Sequence, residues 1–292
     1  MKIVFSVFSA ICALLLALPG EAHAAERRGL NIVISSYPGY IMALNVCKDV
    51  PGLNVTNFAS SAGGCLHDYS ITAGDMMKLS DADAFIVEGA GMEPFIGKIA
   101  GQYPLMNFAT LSDGIELIGG HDGSAPNGHV WLSVTNAIIE VKRLGKVMTD
   151  LDPAHMEIYR ANTDTYVAKL EALRARMKTE LAPLEGAKIV TFHEAFPYFA
   201  REFGLDIAAV VEREPGSEPS ARELAETIDL IKAAGIKAIF SEPQYPASAA
   251  DTISKETGAA VYTLDPAVTG PDDPDAYLNI MEANLSVLKR AL

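Results

Sequence analysis

The stretch "DPAHMEIYRANTDTYVAKLEALRARMKTELAPLEG", Asp152 to Gly186, lies between two series of short apolar runs, and reading it as one long helix decides the fold. Asp152 followed by Pro153 is a helix start, since aspartate accepts from the open N–H groups of a first turn and proline has no N–H to lose there. Pro183 with Gly186 is a stop. Between them Tyr159, Tyr166, Leu170, Leu173 and Met177 fall on one helical stripe. A helix of that extent is on the order of 40 Å long at ~1.5 Å per residue, which makes it a strut and not a floppy linker.

On the N-terminal side, "LNIVISS" (Leu30 to Ser36), "LNVTNFA" (Leu53 to Ala59), "AFIVEG" (Ala84 to Gly89) and "IELIGG" (Ile115 to Gly120) read as buried strands. On the other side "AKIVTF" (Ala187 to Phe192), "AAVVER" (Ala208 to Arg213), "KAIFS" (Lys237 to Ser241) and "AAVYTL" (Ala259 to Leu264) read the same way. Helix-like segments separate them; "SARELAETIDLIKAAG" opens with a capping box, Ser220 with Glu223, and stops at Gly235. Strand and helix in alternation predict parallel α/β architecture. The expected organisation is an N-terminal α/β domain over 26–149, a linker helix over 150–184 and a C-terminal α/β domain over 185–292.

Residues 1–25 read as a cleaved signal peptide: Lys2, the apolar run "IVFSVFSAICALLLAL", then the small-residue "AHAAE". The run is short for a membrane span, and Cys12 lies inside it, with Ile11 where a lipid-anchor motif needs a small residue. A periplasmic location is therefore expected. The formal net charge of -14 argues against nucleic acid or an anionic membrane as partner and suits a cationic ligand. Cys47 and Cys65 survive processing, and a disulfide between them is expected in an oxidising compartment.

Ligands of open parallel sheets bind beyond the carboxyl ends of the strands. His193 follows "AKIVTF", Glu242 follows "KAIFS" and Asp265 follows "AAVYTL", while His129 and His67 follow the last and second strands of the first half across short loops. Each position carries a metal-capable side chain from a different strand-loop unit, so an ion bound by them bridges the two halves. Imidazoles with one carboxylate suit Zn2+, and Mn2+ if the carboxylate is bidentate. A zinc hydrolase is the enzyme alternative, but "HEAFP" puts Pro197 where a second zinc-binding histidine belongs, and no G-x-S-x-G elbow is present. The chain is read as a binding protein and not an enzyme. Glu242, before Pro243, is an accessory residue, Asp265, before Pro266, is equally suited to capping a turn, and His121 sits in the Gly-rich loop "GGHDGSAPNGHVWLS". Phe192, Phe196, Tyr198 and Phe199 are read as core.

These segments resemble a family, the zinc- and manganese-binding solute proteins of bacterial ABC importers, of TroA-like or high-affinity zinc-uptake type. The resemblance runs through "CLHDYSITAGDMMKLSDADAFIVEGAGMEPFIGKI", "GHVWLSVTNA", "VTFHEAFPYFAREFGL", "EPSARELAETIDLIKAAGIKAIFSEPQ" and "ETGAAVYTLDP". It implies two small α/β domains on a rigid backbone helix, an ion held in the cleft by His67, His129, His193 and Asp265, delivery to a membrane permease, and a monomer. The carboxylate some zinc members carry before the first histidine is Leu66 here, and the long His-rich loop insertion is reduced to His121 and Asp122. A manganese carrier and an adhesin that uses metal structurally are the other readings left open. Because flexible residues separate His121 from His129, His121→Ala should slow zinc loading in stopped-flow and leave equilibrium affinity within about twofold, whereas His129→Ala should lose affinity by at least ~10-fold; equal affinity losses would overturn the distinction.

Overall fold

The computed structural model describes residues 29–59, 64–119, 125–211, 219–244 and 248–292. The signal-peptide reading, Cys12 and His121 lie outside the described residues. Strands β1 (Leu30–Ile34), β2 (Leu53–Asn57), β3 (Ala84–Val87) and β4 (Asn107–Thr110) alternate with helices α1 (Tyr37–Val46), α2 (Ala73–Ser80) and α3 (Ile96–Gln102). They form a four-stranded parallel sheet of order β2-β1-β3-β4. After α4 (Val134–Leu151) and α5 (Met156–Leu181), the second half has β5 (Lys188–Thr191), α6 (Pro197–Phe203), β6 (Asp206–Val210), α7 (Ala221–Ala234), β7 (Ala238–Ser241), α8 (Ser248–Thr257) and β8 (Ala260–Thr263). Its parallel sheet repeats the topology as β6-β5-β7-β8. The last helix, α9 (Ala276–Ala291), returns against α5. Two parallel-sheet α/β domains are thus joined by a long helix. None of the helices among the described residues is long and apolar enough to cross a membrane.

The strut forms where its sequence places it, although the Asp152 carboxylate caps no first-turn backbone N–H and pairs with two side chains instead. Asp152 receives His155 Nδ1 at 2.7 Å and the Tyr159 hydroxyl at 3.0 Å, and a turn of 3-10 helix, Pro153–His155, leads into α5. His155 is therefore half-buried beside Asp152. Tyr159, Tyr166, Leu170, Leu173 and Met177 are all buried. α5 lies against α4, and the two approach closely at Gly145, where an added Cβ would stand 2.3 Å from Thr163 Oγ1. The core runs from the first sheet through α4, α5 and α9 into the inner face of the second, and a smaller cluster around Val190, Phe192, Ile231 and Ile239 fills the outer part of the second half. α7 has the Ser220–Glu223 capping box and ends at Gly235 in the left-handed conformation, φ 64°.

Two expectations are corrected. "IELIGG" is not a strand; the edge position is taken by β4, whose half-exposed Asn107–Thr110 lacks the continuous apolar run of a buried strand. The N–H groups of Leu111 and Ser112 still pair with Val87 and Glu88, and Gly114 at φ 89° then turns the chain away, leaving Ile118 N–H to donate to the Tyr198 hydroxyl of the other half. Nor are Cys47 and Cys65 bridged. Cys65 lines one small cavity with Ser36, the N-cap of α1, while Cys47 is the C-cap of that helix, eleven residues or about 16 Å away at ~1.5 Å per residue. A disulfide needs Cα atoms within ~7 Å. Burial pushes the Cys47 thiol up to about 12.

Strand order reverses between β1 and β3 and between β5 and β7, and both crevices open at the carboxyl ends. In the first sheet that position is filled by protein: Ser36 Oγ donates to Glu88 at 2.6 Å and Ser35 Oγ to Glu93 at 2.5 Å. Burial pushes Glu93 up to about 7 and raises Glu88, and Glu140 of α4, buried against Glu88, is raised well above 4.5. A carboxyl raised in the folded state holds a proton the unfolded chain has lost, so its contribution to stability is full below pH 4.5 and is lost as pH rises through the folded value. Glu140→Gln should therefore gain stability over the parent increasingly from pH 5 to pH 8, reaching on the order of 1–3 kcal/mol in denaturant titrations. A pH-independent difference would show that Glu140 is ionised when folded.

Candidate metal centre

Cys65, His67, His129 and His193 each bring one donor atom to a common point, all within 4.8 Å of one another. The first two sit on the loop after β2, where Leu66–Asp68 make one 3-10 turn. His129 precedes the 3-10 turn Val130–Leu132 that enters α4, and His193 lies two residues past β5, at the switch point of the second sheet. Both halves contribute. The imidazoles form a triangle with ring centres 5.5 Å (His67–His129), 5.4 Å (His67–His193) and 4.6 Å (His129–His193) apart. Cys65, His129 and His193 are buried, and His67 is half-buried.

The ring nitrogens are oriented by outer groups. Asn127 Nδ2 donates to Glu194 O at 2.6 Å, which leaves Asn127 Oδ1 as the acceptor facing His129, 3.0 Å from its backbone N and 3.2 Å from its Nδ1. The proton of neutral His129 thus resides on Nδ1, and Nε2 keeps its lone pair, pointing at Cys65 Sγ 3.2 Å away. His193 Nδ1 is 3.3 Å from Glu242 Oε2 and 4.0 Å from Cys65 Sγ. A carboxylate against one ring nitrogen holds the proton there and leaves the other for a ligand. Burial, then the proximity of His193 and His67, keeps His129 well below 6.5.

Asp265 stands outside the converging group. Its Oδ1 accepts the N–H of Ala267 at 2.8 Å, holding that residue at φ 57°, and its own N–H donates to Asn284. Burial raises the Asp265 carboxyl and neighbouring Glu242 adds to this, opposed by the Ala267 N–H. The residue that the sequence reading passed over is Cys65. Its signal was its spacing, a thiol two residues ahead of a candidate histidine on one loop.

The frame around the donors is cross-tied between halves. Trp131, whose ring centre is 5.4 Å from that of His129, donates to Pro266 O at 2.8 Å, and Tyr277 donates to Trp131 O at 2.7 Å. Tyr198 donates to Asn127 O at 2.9 Å, and Tyr37 to Pro271 O at 2.8 Å. Phe192, Phe196, Tyr198 and Phe199 are core residues, as their spacing suggests, with the Tyr198 hydroxyl also bracing the His129 loop.

The family model described as ZnuA, zinc-uptake complex component A periplasmic, matches residues 32–291. The chain belongs to the ZnuA family. Among its relatives, the high-affinity zinc uptake system protein ZnuA of Bacillus subtilis is 31% identical over 308 residues, covering 97% of this chain and 95% of that one. The zinc-binding lipoprotein AdcA of Streptococcus pneumoniae is 30% identical over 309 residues, 99% of this chain; the match spans only 61% of AdcA. In structure, the chain superposes on the Mn2+ complex of the binding protein FpvC from Pseudomonas aeruginosa with a TM-score of 0.81 at 31% identity, over 90% of this chain and 98% of FpvC. A Ni2+ complex of FpvC gives 0.80. Similar proteins thus carry different metals in their names. For the metal-free protein, the depressed His129 predicts a neutral Nδ1–H ring persisting below pH 6.5 in heteronuclear NMR. Protonating the unfolded chain as pH falls below 6.5 then removes the stability this neutral ring contributes. A titration midpoint for His129 at or above 6.5 would contradict its buried, oriented state.

Proposed function

We propose that the mature chain is a periplasmic binding protein that captures a divalent transition metal, Zn2+ before Mn2+, and hands it to the permease of an ABC importer. The observation that carries this reading is the convergence of three imidazoles and a fourth donor from both halves on one buried point. Membership of the ZnuA family and the zinc named for the Bacillus and Streptococcus relatives support it. His67, His129 and His193 are the proposed ligands. Four protein donors make a closed coordination set, which suits carriage of an ion, whereas a hydrolase keeps a position open for water.

The cross-ties from Trp131, Tyr198 and Tyr277 hold the donors before the ion arrives, so ordering costs little on binding. Half-buried His67 is the ligand best placed to meet an incoming ion. Signal cleavage near residue 25, monomeric carriage and the domain limits 26–149, 150–184 and 185–292 complete the proposal.

Metal competes with protons for the imidazole nitrogens, so affinity should fall as pH drops through the histidine range. His193→Ala should weaken Zn2+ binding in chelator competition at pH 7 by more than ~100-fold, beyond the loss expected for an outer-layer change. Zinc affinity unchanged in that variant would remove the metal-carrier assignment.

A further inference from the structure

Resting on that reading, we propose that the fourth donor is the Cys65 thiolate and not the Asp265 carboxylate, which makes this a three-imidazole, one-thiolate centre selective for a borderline-soft cation. The ligand atoms lie where such a centre needs them. Zn–N bonds of ~2.0–2.1 Å and a Zn–S bond of ~2.3 Å at tetrahedral angles put donor atoms about 3.3–3.6 Å apart. Cys65 Sγ is already 3.2 Å from His129 Nε2, and the whole group lies within 4.8 Å, so closure on an ion takes small side-chain shifts. The orientation is independent evidence. Asn127 fixes the His129 proton on Nδ1, so the nitrogen facing the thiol is the one with the lone pair.

Asp265 is employed elsewhere. Its Oδ1 holds the Ala267 N–H in a turn whose left-handed φ of 57° needs that support, and the turn carries Pro266 O, the acceptor of Trp131 Nε1. On this assignment Asp265 shapes the wall behind His129, departing from the carboxylate ligand that the sequence resemblance implies. Charge balances as well. On binding, the Cys65 S–H bond gives its proton to solvent and the sulfur lone pair forms the metal bond, with no change of oxidation state. One thiolate with three neutral imidazoles leaves a single positive charge on a bound M2+, and the carboxylate of Glu242 against His193 lies beside it.

A thiolate strengthens binding of Zn2+, Co2+ and Ni2+ more than of Mn2+, whose preference is for oxygen. Cys65 is therefore the specificity-determining residue. The test uses the reduced mature chain with Co2+ as optical probe and Zn2+ and Mn2+ as competitors. The wild type should show the visible bands of tetrahedral Co2+ together with a near-ultraviolet sulfur-to-cobalt charge-transfer band. Cys65→Ser should keep visible bands, lose the charge-transfer band, and lose at least ~10–100-fold of its preference for Zn2+ over Mn2+, by comparison with outer-layer losses. Asp265→Asn should keep the charge-transfer band.

Visible cobalt bands in the wild type without charge transfer would overturn the proposal while leaving the metal carrier intact, as would an Asp265→Asn variant that loses zinc affinity and a Cys65→Ser variant that does not. A wild type that binds neither Co2+ nor Zn2+ overturns the carrier reading and this proposal together. If Cys65→Ser does not fold, the wild type still decides: stoichiometric Zn2+ should protect Cys65 from alkylation, and unprotected alkylation would refute ligation.

Discussion

Gathering three imidazole lone pairs and a thiol into a buried volume is unfavourable for a protein by itself, because the donors are stripped of water and have little to bond to except one another. The surroundings of the centre answer that demand. Asn127 and Glu242 face the Nδ1 positions of His129 and His193, and the neutral state of His129 follows from burial. Trp131, Tyr198 and Tyr277 then lock the two halves around the donors with hydrogen bonds to backbone carbonyls, which have no alternative rotamers to adopt. The cost of holding the donors together is thus met in folding, and the gain appears when a cation arrives.

The two sheets share a topology but use their switch points differently. One residue past β7 stands Glu242, and one past β3 stands Glu88; two past β5 stands His193, and two past β1 stands Ser36. In the second half this pair faces the cleft and orients a metal-capable ring. In the first it is closed into a serine–carboxyl network with Glu93 and Glu140. The first half brings its donors from the loops after β2 and before α4 instead, so the two halves meet at the centre asymmetrically, with His67 alone of the four donors half-buried.

Much of this was legible in the chain. The α5 stripe from Tyr159 to Met177, the Ser220–Glu223 box and the apolar runs of β1, β3, β5 and β7 depend on local periodicity and short-range capping, which sequence expresses directly. β4 escaped detection because an edge strand buries little, and "IELIGG" imitated a strand through its run of apolar residues, although Leu117 is exposed and the Ile118 N–H pairs with the Tyr198 hydroxyl and not with a strand. His67 and His193 stood out because each follows a strand, and topology sends strand ends to the cleft; His129 was reached through the misread "IELIGG" and lies instead in the loop that enters α4. Asp265 satisfies the same rule, yet its carboxylate turns back to its own loop. Position after a strand specifies where a residue lies and not where its side chain points.

What the sequence alone determined is therefore the repeated parallel α/β plan, the strut between the halves, and the three histidines brought to their junction, all consequences of residue spacing and strand order. What only the tertiary structure decided is how the donors pair: Cys65 beside His129 and apart from Cys47, Glu242 on His193, and Asp265 on Ala267. Those relations join residues far apart in the chain through loop conformations of a few ångströms' consequence. Only the packed arrangement of both halves, with each backbone carbonyl and ring nitrogen in place, selects one pairing over another.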